Sequence, residues 1–234
     1  MSDLATELKE IFSHESISID RKHEGWIVEE SSKDSMLKSC NISIGDYQIE
    51  TLPSLFYKGL WENRIRKDQD LDCDGAALLS DQRKKETRIL LIELKSTLST
   101  KKIVKAAMQA VWSYLKINTF LQNCRSYNAP LALDIAICSE CYKDEKQEKY
   151  FDEVYQKSLM KELSPEEKFV SRYINGNGEF TSLKLGDFWF LKPLPINDRI
   201  KEVKVQICLQ KTLSYGSASV NLDLTELYST KSHL

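Results

Sequence analysis

The sequence predicts an α/β fold, in which a central mixed β-sheet is flanked by helices. Two apolar runs and one basic amphipathic segment lead to this prediction. The runs, at residues 75–79 and 89–92, have the length of strands, and the second is apolar on consecutive positions, as is typical of a strand buried on both faces. Residues 100–123 then carry apolar side chains at helical spacing. A helix that follows two such strands is expected to pack on their sheet.

The segments before this core predict short elements. Residues 3–12 predict a helix with one apolar stripe. Residues 16–20 and 25–29 alternate as two strands around a polar turn, which predicts an N-terminal β-hairpin. Residues 54–67 begin after Pro53 and predict a helix that leads into the core.

The segments after the core continue the α/β pattern. Residues 131–138 predict another buried strand, in which Asp134 interrupts the apolar run and makes a polar contact. Residues 142–168 alternate in charge and predict one or two exposed helices. A C-terminal β-hairpin and two further strands are predicted, the hairpin at residues 180–185 and 188–191 and the strands at 203–209 and 219–224.

The length of 234 residues predicts one domain with elaborations. We expect this domain to cover residues 1–228, with its core at about 54–138. The N-terminal elaboration is then residues 1–53, the C-terminal elaboration is residues 139–228, and residues 229–234 form a tail.

Charge, apolar stretches and cysteine content indicate which partners and which cellular compartment to expect. The net charge of −2 means that a polyanion would have to bind at a local basic patch. No apolar stretch approaches the ~20 residues that span a bilayer, and the N-terminus lacks the order of a signal peptide, so a cytoplasmic protein without membrane association is predicted. The six cysteines are then expected to be reduced thiols. Cys138 and Cys141 form one C-x-x-C without a second pair, so we expect Cys138 to pack as a small apolar residue.

Two acids and a lysine stand at the ends of the two apolar runs. Asp74 opens the first run, and Glu93 and Lys95 close the second. Residues i and i+2 of a strand project from the same face, so Glu93 and Lys95 are expected to lie together. If the runs pair as neighbouring strands, two carboxylates and one ammonium meet. Carboxylate oxygens are ligands that Mg²⁺ prefers, and the lysine could orient a water or offset charge on a phosphate.

Two further positions bear on this motif. Asp72 shares a strand face with Asp74, but Asp74 directly abuts the apolar run and is the favoured acid, so Asp72 is expected in a solvated loop. In the long helix, Gln109 falls on a polar ridge with Lys102 and Lys105, so it is expected to project with these lysines and not into the core. Its position relative to Glu93 makes it either a site residue or an ordinary surface glutamine. The core stripe is predicted at Val104, Met108, Val111 and Leu115.

This arrangement resembles the PD-(D/E)XK nuclease superfamily and its restriction-endonuclease-like fold. Asp74 matches the metal-binding aspartate of that family, Glu93 its second acid and Lys95 its catalytic lysine, while Cys73 stands where the family's proline would be. The resemblance implies a Mg²⁺ or Mn²⁺ site formed by the two acids and the Leu94 carbonyl. In the helix after the motif, Gln109 is similar to the glutamine that many members place beside the site.

The resemblance also implies a further acid and an activity. Glu62, in the helix before the core, resembles the extra glutamate of many members, although Arg66 four residues on makes a surface ion pair an equal alternative. The implied activity is hydrolysis of phosphodiester bonds, in DNA in preference to RNA, and relatives that cut duplexes imply a homodimer. The lysines expected to contact nucleic acid are Lys101, Lys102 and Lys105. Two alternatives remain: a non-catalytic module that binds nucleic acid or a partner protein, and a structural protein in which Glu93 and Lys95 form a surface ion pair.

Overall fold

The structure is a computed structural model, and it describes residues 3–12, 19–30, 32–57, 72–81, 86–159, 163–174 and 178–225. Its larger sheet has seven strands, which are Asp20–Lys22 (β1), Gln48–Thr51 (β4), Gly75–Asp81 (β5), Glu86–Lys95 (β6), Ala132–Ser139 (β7), Thr181–Lys184 (β8) and Lys204–Lys211 (β9). Their order across the sheet is β1-β4-β5-β6-β7-β9-β8. A smaller sheet has three strands in the order β10-β3-β2, which are Ser219–Asp223 (β10), Ser39–Ser43 (β3) and Trp26–Glu29 (β2). The α-helices are Asp3–Ile11 (α1), Thr100–Leu121 (α2), Glu145–Leu159 (α3), Pro165–Ser171 (α4) and Asp198–Lys201 (α5).

The larger sheet is mixed, as the sequence predicts. β4, β5 and β6 pair as antiparallel neighbours, α2 follows, and β7 then pairs parallel to β6. β9 continues the parallel part beside β7, and β8 closes the edge in the antiparallel sense. The C-terminal ends of β6, β7 and β9 therefore lie at one edge of the sheet, which we call the carboxyl edge.

Apolar side chains cover both faces of the larger sheet. On one face, Ile89 and Leu91 of β6 pack in a core shared with the helices. On the other face, Leu90 and Ile92 pack in a second core shared with the smaller sheet. Burial on both faces explains the consecutive apolar residues of β6. The molecule thus has helices, the larger sheet and the smaller sheet as three layers.

Helix α2 begins after Ser99, whose side chain accepts a hydrogen bond from the Lys102 amide at 3.3 Å. The predicted stripe was partly wrong: Val104 and Val111 are buried, but Met108 and Leu115 are only half-buried. The centre of the buried face is instead occupied by three alanines with larger side chains around them, and its residues are Ile103, Ala106, Ala107, Ala110, Tyr114, Ile117 and Leu121. The buried positions show that the helix is rotated about its axis relative to the predicted phase.

Both predicted β-hairpins were wrong. β1 pairs with β4 and β2 pairs with β3, so the two N-terminal strands lie in different sheets. Near the C-terminus, β8 pairs with β9, and the segment expected to return as a strand is a 3₁₀ helix, Trp189–Leu191. In each case a partner distant in sequence replaces the adjacent segment that the turn pattern favoured.

Three other sequence predictions can be compared with the structure. The strands predicted at residues 203–209 and 219–224 are confirmed as β9 and β10. Of the helix predicted at residues 54–67, a 3₁₀ turn covers Ser54–Phe56, and residues 58–67 lie outside the described residues. Within the described part of the chain, no helix is both long and apolar enough to cross a bilayer.

Candidate functional site

The register of β5 and β6 brings Asp74 opposite Glu93. Gly75 pairs with Ile92, so Asp74, one residue earlier, stands across from Glu93 at the carboxyl edge. The Asp74 amide donates to the Ile92 carbonyl at 3.1 Å, and Asp74 Oδ2 accepts a hydrogen bond from the Leu94 amide at 2.7 Å. The Asp74 carboxylate is therefore held against the backbone of β6, beside Glu93.

Glu93 and Lys95 project from the face of β6 that packs against the helices, because they continue the two-residue spacing of Ile89 and Leu91 on that face. The Lys95 ammonium forms a direct ion pair with Glu93 Oε1. The Glu93 side chain is 1% exposed and that of Lys95 is 15% exposed, so the lysine covers the acid on its solvent side. This pair is not the surface ion pair of the structural alternative, because Glu93 is buried.

The environment of Glu93 is unfavourable for its charge. Burial raises the pKa of Glu93 well above its ordinary value, and the neighbouring Asp74 charge raises it further, while Lys95 opposes the shift. Glu93 Oε2 is buried and has no hydrogen-bond donor among the described residues. A buried carboxylate oxygen without a donor calls for a proton, a water or a cation.

The Leu94 backbone also faces Asp74. Its amide points toward β5, where it meets Asp74 Oδ2. The amide and carbonyl of one strand residue point to the same side, so the Leu94 carbonyl also faces the Asp74 side of β6. Two carboxylates and one backbone carbonyl therefore lie around the junction of Asp74, Glu93 and Leu94.

Gln109 is buried, so the prediction that it projects with Lys102 and Lys105 was wrong. Its side chain is 5% exposed, and its Nε2 donates to the Asp72 carbonyl at 2.9 Å. The rotated phase of α2 turns this residue toward the sheet. Its Oε1 is buried without a donor among the described residues, like Glu93 Oε2.

Asp72 is not in a solvated loop, which corrects a second prediction. Its carboxylate forms an ion pair with Lys116 of α2, and the two side chains are 10% and 7% exposed. The Cys73 amide also donates to Ser113 Oγ at 3.0 Å. Gln109, Ser113 and Lys116 therefore anchor the segment before β5, and no local sequence pattern indicates this contact across 44 positions.

The remaining predicted site residues fall into two groups. Lys101, Lys102 and Lys105 are exposed on the first turns of α2, where they can contact a ligand. Glu62 lies outside the described residues. Within the described ranges, no group of three or more His, Cys, Asp or Glu side chains is arranged as a metal site.

Three residues of the larger sheet make structural contacts within the fold. They are Arg88, Asp134 and Cys138. Arg88 Nε and Nη2 each lie 2.7 Å from a different carboxylate oxygen of the fully buried Asp134, which confirms the predicted polar contact of that aspartate. Cys138 is fully buried with its Sγ 3.5 Å from that of Cys40, as expected for a thiol that packs as an apolar residue.

One acid at the carboxyl edge has no sequence signal. Glu140, directly after β7, is fully buried, and neither of its carboxylate oxygens has a donor within the described residues. Its backbone amide donates to the Lys95 carbonyl at 3.3 Å. The sequence shows only a glutamate after a strand, in a segment rich in charge.

The site can be summarised as Asp74 and Glu93 on adjoining strands, Lys95 beside them, and Gln109 on the helix that follows. This order of elements is the one on which the resemblance to the nuclease superfamily depends. In comparisons with known proteins, no family model, no curated protein and no solved structure matches this chain, so its chemistry has to be inferred from these residues themselves.

Proposed function

We propose that this protein is a metal-dependent nuclease of the PD-(D/E)XK type, with a restriction-endonuclease-like core, that hydrolyses phosphodiester bonds, preferably in DNA. The observation that carries the proposal is the pairing of Asp74 with Glu93 across β5 and β6, with Lys95 in contact with Glu93. Charged groups at the end of a buried strand are costly unless they are paired, solvated or bound to a metal, and Glu93 Oε2 has no donor among the described residues.

The donor set fits a divalent cation of the Mg²⁺ or Mn²⁺ type. Asp74, Glu93 and the Leu94 carbonyl offer hard oxygen ligands, and Glu93 Oε2 has no hydrogen-bond donor among the described residues. Such a site uses few protein ligands, because Mg²⁺ keeps several of its waters. When bound, the cation supplies Lewis acidity and stabilises negative charge on the phosphate.

The protein groups have separate roles in this proposal. Asp74 is fixed by the Leu94 amide, so its orientation does not depend on the ligand. Lys95 is partly exposed beside Glu93, where it orients the attacking water or donates to a phosphate oxygen. Gln109 is a positioning residue, because its contact with the Asp72 carbonyl holds the segment that carries Asp74.

The substrate would approach over the beginning of α2. Lys101, Lys102 and Lys105 are exposed there, a few residues after Lys95. Their charge provides the local attraction to a polyanion that the net charge of −2 does not. We propose contacts between these lysines and backbone phosphates, which position the substrate without reading its sequence.

The test is a cleavage assay on supercoiled DNA, linear duplex, single strand and RNA, with Mg²⁺ or Mn²⁺ and with a chelator. We expect cleavage that requires the metal. Asp74→Ala and Lys95→Ala should each reduce the rate by about a thousandfold or more, because several kcal/mol of transition-state stabilisation is lost.

Glu86→Gln is the matched control, since Glu86 is an exposed acid at the opposite end of β6. It should cleave like the wild type. The proposal is wrong if the wild type cuts none of these substrates, or if Asp74→Ala and Lys95→Ala cut as fast as the wild type.

A non-catalytic module that binds nucleic acid or a partner is the second candidate. The direct ion pair between Glu93 and Lys95 favours this candidate, because each side chain is already partly neutralised by the other without a metal. This candidate predicts metal-independent binding of nucleic acid that weakens steeply with salt and leads to no cleavage.

A further inference from the structure

A second lysine lies at the carboxyl edge, on the same side of the sheet as Lys95. Lys95 pairs with Ser139 of β7, and Ser139 pairs with Lys211 of β9. Residues in register on neighbouring strands project from the same face. The Cα atoms of Lys95 and Lys211 therefore lie in one row across the sheet, two strand spacings or about 10 Å apart.

Lys211 is half-buried, and its ammonium contacts only uncharged groups among the described residues. Its Nζ donates to the Ile174 carbonyl at 3.1 Å and lies 3.4 Å from the Tyr142 hydroxyl and 4.7 Å from the centre of the Tyr142 ring. Burial lowers the pKa of Lys211. The nearby acids Glu148 and Asp152 are exposed on α3, so water screens their charge.

Two other shielded lysines beside the sheet differ in this respect. Lys116 forms an ion pair with Asp72, and Lys95 forms one with Glu93. Lys211 forms no ion pair with any described carboxylate. A partly desolvated ammonium that lacks a carboxylate partner favours an anionic ligand over its neutral neighbours.

We infer that Lys211 binds a backbone phosphate of the nucleic acid next to the phosphate that is cut at Asp74 and Glu93. This inference rests on the proposed function. The position agrees with the general rule that ligands of open α/β sheets bind beyond the carboxyl ends of the parallel strands. The ring of Tyr142 helps to hold the ammonium in place without neutralising it.

The competing explanation is that Lys211 only ties β9 to the segment that ends at Ile174. That role would make the residue important for stability and irrelevant to the affinity for nucleic acid. The two explanations therefore differ in a binding measurement.

The experiment measures the dissociation constant of a fluorescent oligonucleotide, single- and double-stranded, over a range of salt. An Asp74→Asn background prevents cleavage, and Lys211→Gln or Lys204→Gln is added to it. Lys204 is the matched control, because it is an exposed lysine at the opposite end of β9. We expect Lys211→Gln to weaken binding about tenfold and to lower the salt slope by about one, with Lys204→Gln unchanged.

A second measurement needs no substitution at Lys211. Chemical acetylation of the lysines, read by mass spectrometry, should be slower at Lys211 when the oligonucleotide is bound and unchanged at Lys204. Equal affinity and salt slope in a folded Lys211→Gln protein, or no protection of Lys211, would overturn the inference and leave the nuclease proposal intact. Failure of the wild type and the Asp74→Asn protein to bind any oligonucleotide would overturn both.

Discussion

At the scale of single residues, Glu93 combines burial with an unfavourable neighbour. It is 1% exposed, it faces Asp74, and only one of its oxygens is paired, with Lys95. A site selected for stability alone would carry an apolar residue here, because the flanking positions of β6 are fully buried apolar side chains. The charge is thus explained by a ligand better than by folding.

Glu93 gives the metal-free protein a defined pH dependence. Its pKa in the folded state is raised above the ordinary value of 4.5. The protonated carboxyl therefore favours the folded state, and this contribution is complete below about pH 4.5 and is lost as pH rises through the raised pKa. We expect the difference in unfolding free energy, wild type minus Glu93→Gln, to fall by up to about 1.4 kcal/mol per pH unit above pH 4.5.

Urea unfolding of both proteins with a chelator present, from pH 4 to pH 8, measures this difference. Glu86→Gln is the control, since it changes an exposed acid at the end of β6 opposite to Glu93. A difference between wild type and Glu93→Gln that does not change with pH would contradict the assignment.

At the scale of elements, α2 holds the start of β5 through three side chains on one helical face. Gln109, Ser113 and Lys116 contact the Asp72 carbonyl, the Cys73 amide and the Asp72 carboxylate. The spacings of four and three residues place them on adjacent turns. Asp74 follows directly, so the geometry of the acid pair depends on this contact between helix and sheet.

The ion pair between Asp72 and Lys116 should be strongly coupled. Lys116→Met leaves a nearly buried carboxylate without its cation, and we expect a loss of about 3 kcal/mol in unfolding free energy. Asp72→Asn combined with Lys116→Met should cost less than the sum of the single changes, by about 1 kcal/mol or more. A double-mutant cycle by chemical unfolding checks this, and additive effects would mean that the pair contributes no coupling.

The contact between the two sheets depends on Gly75. A Cβ at this position would lie 2.8 and 2.9 Å from the methyl groups of Val28 and 2.9 Å from the Trp26 ring. Gly75→Ala is expected to cost about 1–3 kcal/mol through overpacking. In the double variant, Val28→Ala should recover part of that loss. Val28→Ala alone is expected to destabilise the protein. Thermal unfolding of the two single variants and the double variant measures these differences. Equal stability of Gly75→Ala and wild type would contradict the close approach.

The elements that could be predicted from the sequence are those with a local signal. β5, β6, β7 and α2 each carry their periodicity within one segment, and the acid pair follows once β5 and β6 are neighbours. The hairpins failed because β1 pairs with β4, β2 pairs with β3 and β8 pairs with β9, none of which is the adjacent segment that the turn pattern favoured. Gln109 was misplaced because alanines at 106, 107 and 110 set the phase of α2, and alanine is a weak marker of a buried face.

At the scale of the whole molecule, the carboxyl edge brings together charged side chains from both halves of the larger sheet. Asp74, Glu93 and Lys95 come from the antiparallel half of the sheet and its junction, whereas Glu140 directly follows the parallel strand β7 and Lys211 is the last residue of the parallel strand β9. The opposite faces of the same strands are apolar. Among the described residues, the buried carboxylate oxygens that have no hydrogen-bond donor, those of Glu93 and Glu140, lie at this edge, which is where we propose that a ligand binds.

Binding of a cation at this edge should therefore stabilise the entire fold. At a Mg²⁺ or Mn²⁺ concentration 100 times the dissociation constant, linkage gives about 2.7 kcal/mol, which is roughly 5–10 °C in the melting temperature of a chain of this size. Asp74→Asn and Glu93→Gln should remove this shift, and Glu86→Gln should retain it. Since the cation competes with the proton on Glu93, the shift should also grow as pH rises from 5 to 8. Scanning calorimetry with and without the metal measures both effects. Equal shifts in the wild type and in both site variants would place the cation elsewhere. No shift in the wild type would contradict a metal site at Asp74 and Glu93.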